Sequence, residues 1–386
     1  MPASPKKKKK PSLMPAKIKP AKKLYFIDKV ILFFTLIASV SILLSLLASL
    51  IDPRICWWLA FFGLAYPPIL LTNLILVLYW FMRFSNFIFI PLISILLGWS
   101  ILINSFNISN SSPDGSKKSS DYLRMMTYNV HSFAGVGINS AKPTRTEILR
   151  IIKDEQPDVI CLQEFFTRQK GEFAMVDSLK KVLHTNYFHS FSVNDINYEG
   201  NGIAAFSKFP IIHKGLIQLA DKNSTNQCIF IDIKKADRII RIYAVHLQSI
   251  QFMPQDYQVI DSVSKAEESN LHSYKRIASK LKYAFLKRSE QVYLVKNHAN
   301  TSPYPYIIAG DFNDTPASFA VNKMASGLKN AFREKGNGFC TTYNGDFPNF
   351  QIDYILAKPD FKVINYKVFK KKLSDHYAVR ADLLLK

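Results

Sequence analysis

Three stretches without a charged residue, Val30 to Ile51, Ile55 to Met82 and Phe87 to Phe106, fill most of the first hundred positions of this 386-residue chain. Each approaches or exceeds the roughly 20 apolar residues that an α-helix needs to cross a bilayer. Little more than Asp52-Pro53-Arg54 and the turn at Arg83 separates them. Core helices of soluble proteins need a polar face, so the pattern predicts three transmembrane helices. Pro67-Pro68 and Asn73 predict a kink in the middle one, with a neighbouring helix satisfying the freed backbone groups. Trp57, Trp58, Tyr79 and Trp80 lie near its ends, as interfacial aromatics do. A signal peptide fits the first stretch poorly, because its apolar core runs to only about 7 to 15 residues.

Residues 1–24 form a basic arm, with Lys6 to Lys10 in a block and further lysines among prolines; such a segment buries no core and is expected to be disordered. Ten lysines precede Val30, whereas Arg54 alone marks the first short loop, so the amino terminus is expected to be cytoplasmic. Three crossings then place the remainder outside the cytoplasm. The expected organisation is the arm, a membrane region at 25–106, a Ser/Asn-rich linker at 107–121 and a catalytic domain at 122–386. The formal net charge of +21 divides almost evenly, +10 up to residue 121 and +11 beyond it. A basic surface suits an anionic substrate, although it is equally the mark of a solvated face. Cys56, Cys161, Cys228 and Cys340 show no metal-ligand spacing and no disulfide-scaffold density.

Beyond Leu123 the pattern changes to short apolar runs divided by turns. Strands are predicted at Leu123–Val130, Val159–Gln163, Ile203–Ser207, Ile229–Ile233, Ile239–His246, Tyr306–Ala309, Ile352–Ala357 and Tyr377–Leu383, with helices at Arg145–Glu155 and Leu271–Lys296. Strands outnumber helices and interleave irregularly with them, which favours a two-sheet α/β core flanked by helices over a simple βα alternation.

Polar residues collect where these runs end. Asn129 closes the first, Glu164 follows Leu162-Gln163, and Gly310-Asp311-Phe312-Asn313 ends another with an acid and an amide two residues apart, able to project to one side. Asp353 sits inside an apolar run, where an unpaired charge is expensive. Ser374-Asp375-His376 precedes the last strand. Oxygen donors without a cysteine cluster favour magnesium or manganese over zinc, leaving histidine for proton transfer and charge stabilisation. Phosphate-ester hydrolysis calls for this set.

In order and composition these motifs resemble the endonuclease/exonuclease/phosphatase superfamily, which includes deoxyribonuclease I-like nucleases, inositol polyphosphate 5-phosphatases and neutral sphingomyelinases. The resemblance covers nearly all of residues 122–386 and implies a four-layered αββα sandwich, here preceded by the three membrane helices. It implies that Glu164 and Asp375 hold one Mg or Mn ion. Asp311 and Asn313 resemble the pair that orients the attacking water and stabilises the pentacoordinate phosphate, His246 a histidine that contacts the scissile phosphate, and Asn129 the asparagine after the first strand. His376 resembles the catalytic histidine and Asp353 the acid that pairs with it. Gly200 to Ser207, followed by Lys208, is similar to a glycine-led scaffold strand. Three departures are visible: His131 stands where some relatives carry a second acid, Tyr198 is about one residue out of register with a tyrosine of apurinic endonucleases, and Asp314-Thr315-Pro316 replaces the basic residues of 5-phosphatases.

The expected function is therefore a membrane-anchored, metal-dependent phosphodiesterase of nuclease-like type. The alternatives are a phospholipid (sphingomyelinase-like) phosphodiesterase or a catalytically inactive membrane-anchored binding module. The expected partners are a phosphodiester substrate and the bilayer; no protein partner is predicted. Gln248 to Val263 reads as a loop whose Phe252 and Tyr257 either pack back on the domain or face the substrate.

Overall fold

The computed structural model describes residues 24–109, 119–135, 144–196, 199–264, 271–345 and 348–386. The basic arm, most of the 107–121 linker and Tyr198 lie outside the described residues.

In the strand Cys228–Lys235, Ile229, Ile231 and Ile233 face one way and Cys228 and Phe230 the other, the period of two that lets a sheet bury both faces. The chain uses this twice. Among the described residues, one six-stranded sheet runs from edge to edge through Phe361–Phe369, Ala378–Leu385, Leu123–Asn129, Val159–Thr167, Glu199–Ser207 and Tyr187–Ile196. The second runs through Lys329–Asn330, Asp353–Ala357, Tyr306–Asp311, Arg238–His246, Cys228–Lys235 and Ile211–Ile217. Their inner faces meet in one core, where Met125, Cys161 and Ala205 pack with Ile231, Ile242 and Ile307. The helices Arg145–Glu155 and Met175–Leu183 cover the outer face of the first sheet, through Ile148, Ile152 and Leu179. The long helix Leu271–Asn300 covers the second through Val292 and Val295. The result is an α/β fold with two sheets between helical layers.

The membrane region differs from expectation. By length and composition only Phe26–Leu50 is an unbroken helix fit to cross a bilayer, and a second span exists only if Asn86–Leu97 and Trp99–Ser105, bent by 62° at Gly98, act as one. Three uninterrupted helices are therefore not present among the described residues. The middle stretch divides into Leu59–Leu64 and Tyr66–Met82, because Pro67 and Pro68 require a first turn, where a missing N–H leaves no hydrogen bond unmade. Asn73 ties the second piece to its neighbour, its Nδ2 donating to the Ala38 carbonyl at 2.9 Å. Arg83 reaches Asp28 at 2.7 Å, so this helix runs antiparallel to the first.

The apolar region is packed against the sheets rather than strung behind them. Ser289 donates to Asp52 at 2.6 Å, Phe61 meets Phe285 edge-on at 5.4 Å, and Phe106-Asn107 pairs as a short strand with Gly338-Phe339. The predicted linker thus begins inside a strand. A Cβ on Gly63 would stand 2.9 Å from the Ala317 carbonyl, so the short helix approaches the segment after Asn313 at glycine distance.

Candidate active site

Strand register assembles the site. In the second sheet His246 is the parallel partner of Asp311, and Asp353 is the antiparallel partner of the same residue, so three polar side chains form a row across adjacent strand ends. Gly310 has φ of +151°, and a Cβ there would lie 1.9 Å from the Val245 carbonyl; glycine lets the two strands close up just before Asp311. From the first sheet, Asn129 ends one strand and Glu164 emerges from the next at a bulge, where the ladder slips between Gln163 and Phe165 and Glu164 takes φ of 49°. A bulge re-aims one side chain out of the regular alternation, and here it turns a carboxylate toward the other sheet.

Asp311 is the hub. Its Oδ2 accepts from Asn129 Nδ2 at 3.0 Å and lies 3.7 Å from Nε2 of both His246 and His376, while Oδ1 accepts the Asn313 backbone N–H at 2.7 Å. Burial pushes its carboxyl up to about 6, against the pull of the His376 charge. His376 Nδ1 bonds Asp353 Oδ2 at 2.9 Å. Burial works against an imidazolium there, but Asp353 and Asp311 outweigh it and hold His376 well above the ordinary histidine range. His246 Nδ1 donates to the Thr225 carbonyl at 3.2 Å, and its buried Nε2 has no hydrogen-bond partner. That orphaned atom faces Asp311 and, at 4.0 Å, Glu164.

Glu164 and Asp375 both reach His131 Nδ1, at 3.4 and 3.5 Å. Burial opposes the charge on Glu164, yet His131 and the nearby His246 hold its carboxyl at about 2. Asn129 Nδ2 also donates to Glu164 at 3.2 Å, linking this acid pair to Asp311. Ionised oxygens converging on a half-exposed position, beside an orphaned ring nitrogen, fit a hard divalent cation. Asp311, Asp353 and His376 also bring ligand atoms within 4.8 Å of one another. The hydrogen bond between Asp353 and His376 Nδ1 fixes the orientation and tautomer of this imidazole and directs Nε2 toward Asp311.

The structure thus brings Asn129, Glu164, His246, Asp311, Asp353, Asp375 and His376 together. Asn313 borders the same cavity, but its amide nitrogen is turned to the Leu247 carbonyl at 3.0 Å. Lys208 is spent on Gln156, and Gly200–Ser207 is sheet scaffold. Sequence reasoning missed Arg288, which is buried under the cavity and paired with Asp314 at 3.0 Å; one of two arginines among the lysines of a long helix gave no signal. It noted His131 only as a departure. Phe252 and Tyr257 do line the cavity, in edge contact at 5.6 Å, and the supposed loop contains the helix Pro254–Ser264.

The sequence profile of the Endonuclease/Exonuclease/phosphatase family matches residues 126–376. This chain belongs to that family. Its members hydrolyse phosphoester bonds, so phosphoester hydrolysis is the general activity that membership carries. Residues 28–106 match a second family, described only as a domain of unknown function. No curated protein matches the chain. Among solved structures, an endonuclease/exonuclease/phosphatase family protein from Bacteroides thetaiotaomicron is similar, 16% identical, with a TM-score of 0.50 over 69% of this chain and 98% of its own. A mannosyl-6-phosphatase from the same species is 16% identical, with a TM-score of 0.47 over 68% and 99%. The human Nocturnin catalytic domain is 18% identical, with a TM-score of 0.47 over 69% and 95%.

Proposed function

We propose that this family member is a membrane-anchored, divalent-metal-dependent phosphoesterase that hydrolyses phosphodiester bonds outside the cytoplasm. The observation that carries the reading is Asp311, ringed by His246, His376 and Asn129 and standing beside the Glu164 and Asp375 acid pair. Magnesium or manganese held by Glu164 and Asp375 would neutralise phosphate oxygens and sharpen the electrophile. Asp311 orients a water and takes its proton as the water oxygen bonds to phosphorus and the ester P–O bond breaks. His376, fixed by Asp353, faces the developing charge and supplies a proton to the leaving oxygen. His246 places Nε2 at the same phosphate, and Asn129 keeps the two acids in register.

Anchoring is supported by the outer faces of the first hundred residues. Phe33, Phe34 and Ile37 on one helix, and Leu71, Ile75 and Leu78 on another, are about half exposed or more, forming an apolar surface suited to lipid. Phe26–Leu50 has Asp28 and Arg83 at one end and Asp52, bonded to Ser289, at the other. The sheets therefore lie toward the Asp52 end of this helix, while the lysine block precedes its other end in the sequence, and the orientation needs only that one crossing.

Two measurements test the proposal. Phosphodiesterase activity should vanish in EDTA and return with magnesium or manganese; full activity after exhaustive chelation eliminates the metal reading. A reporter active only outside the cytoplasm, fused after Lys386, should be active, and a silent, stably expressed fusion reverses the orientation.

A further inference from the structure

The catalytic cavity, about 250 Å³, has two unlike walls. His131, Glu164, Asp375 and His376 form one. Leu64, Phe252, Phe285 and Phe350 contribute to the other, and Leu64 comes from the apolar region itself. Next to it lies a second cavity of about 420 Å³, whose lining among the described residues contains no Asp, Glu, Lys or Arg. One side of it is the helix Tyr66–Met82, through Leu70, Leu71 and Leu74; the other is formed by Phe339, Pro316 and Ala317. The two cavities share Thr315 and Phe350 in their walls, so the apolar space lies directly beside the catalytic one. At its far side Leu71 is 59% and Leu74 49% exposed, on the helix face proposed above to meet lipid.

We propose that the substrate is a membrane phospholipid that enters sideways from the bilayer, with its phosphoester beside Asp311 and an acyl chain between the Tyr66–Met82 helix and the Phe339 wall. This rests on the phosphoesterase reading and adds the substrate class. The hydrolysis keeps its balance, water adding to phosphorus as one ester oxygen leaves with a proton. A nucleic acid needs a run of cationic side chains to follow its phosphates. Among the described residues, Arg288 is the one arginine or lysine on the catalytic cavity, and it is buried and paired with Asp314. The stretch Asp314-Thr315-Pro316, which stands where 5-phosphatases carry basic residues, is instead the seam between catalytic loop and apolar helices, with Ala317 packed in the cluster of Ile42, Tyr66 and Leu70. An apolar cavity between a lipid-facing helix and an acid-lined site matches an amphiphile, whose chain contributes binding energy away from the reacting bond.

The test uses the full chain in phosphatidylcholine nanodiscs containing a phospholipid with a labelled headgroup. Its deacylated, water-soluble glycerophosphodiester, a single-stranded DNA and bis(p-nitrophenyl) phosphate are run in parallel. Magnesium-dependent headgroup release is expected, with kcat/KM for the acylated substrate exceeding that for the deacylated one. Filling the groove with Leu71→Trp and Leu74→Trp, both on an exposed face, should cut the acylated-to-deacylated ratio at least about tenfold, because remote apolar contacts act mainly on the chain-bearing substrate. Phe339→Ser, on the opposite wall, should shift the ratio the same way, which guards against a folding defect in the tryptophan variant. Equal kcat/KM for both forms, an unmoved ratio in both variants, or preferential DNA cleavage overturns the lipid assignment. If EDTA-sensitive cleavage of bis(p-nitrophenyl) phosphate persists in that case, the phosphoesterase reading survives alone; if no substrate is cleaved, both fall.

Discussion

Asp311→Asn is expected to lower turnover by about 10² to 10⁴ while leaving the protein folded, the usual loss when one positioned acid-base group is removed. The carboxylate has no substitute at its position. Its Oδ2 lies 3.7 Å from the imidazoles of His246 and His376 and 3.0 Å from Asn129, and an amide of the same shape offers those neighbours no negative charge. The effect on stability should be small, because two contributions oppose each other. Burial raises the Asp311 carboxyl to about 6, above the roughly 3.9 of an unfolded aspartate, so the folded protein binds this proton more tightly. Such a group favours folding at low pH, and that contribution is lost as pH rises from about 4 through 6. At pH 7 in EDTA the neutral variant escapes that penalty but can accept only one of the two hydrogen bonds, from Asn129 and from the Asn313 N–H, so its Tm should stay close to that of the wild type. Turnover within tenfold of wild type would remove Asp311 from the mechanism, and a large fall in Tm would show that lost rate reflects unfolding.

The central strands and most of the site were legible in the sequence, and the reasons for the rest are physical. Every long strand missed, Tyr187–Ile196, Ile211–Ile217 and Phe361–Phe369, lies at a sheet edge. There one flank is solvated, so Ile211 to Ile217 mixes exposed and half-buried residues and never shows the continuous apolar run that marked the interior strands. Asp311, Asp353 and His246 stood out because each ends or interrupts such a run, and register then placed them side by side. The Glu164 bulge was invisible: no glycine or proline marks it, and the left-handed residue is the acid itself. In the apolar region, hydropathy measured the stretches correctly but could not locate their breaks. Pro67-Pro68 predicted a bend and produced a new helix start at Tyr66, one residue earlier, whereas the bend at Gly98 had no proline to announce it.

Arg288→Ala should destabilise the protein by about 3 to 5 kcal/mol, the cost of leaving one member of a buried ion pair alone. Arg288 and Asp314 side chains are 2% and 6% exposed, and Arg288 Nη1 also donates to the Asn313 carbonyl. Burial raises the Asp314 carboxyl and Arg288 opposes that rise, so removing the guanidinium strands a carboxylate beneath the cavity. For a region of this size the loss corresponds to a fall in Tm on the order of 10 °C. The double variant Arg288→Met/Asp314→Leu should regain most of it, because an apolar pair of similar volume leaves no charge without a partner. Turnover should recover less than Tm. Arg288 holds the loop that carries Asp311 and Asn313 to a helix whose neighbouring Ser289 bonds Asp52 and whose Phe285 packs on Phe61, so it ties the Asp311 strand end to the apolar region. Methionine fills the space but cannot hold the Asn313 carbonyl. Tm and kcat measured on the single and double variants decide the matter: recovery of both together reduces Arg288 to a packing residue, whereas recovery of Tm alone assigns it the positioning of the Asp311–Asn313 loop.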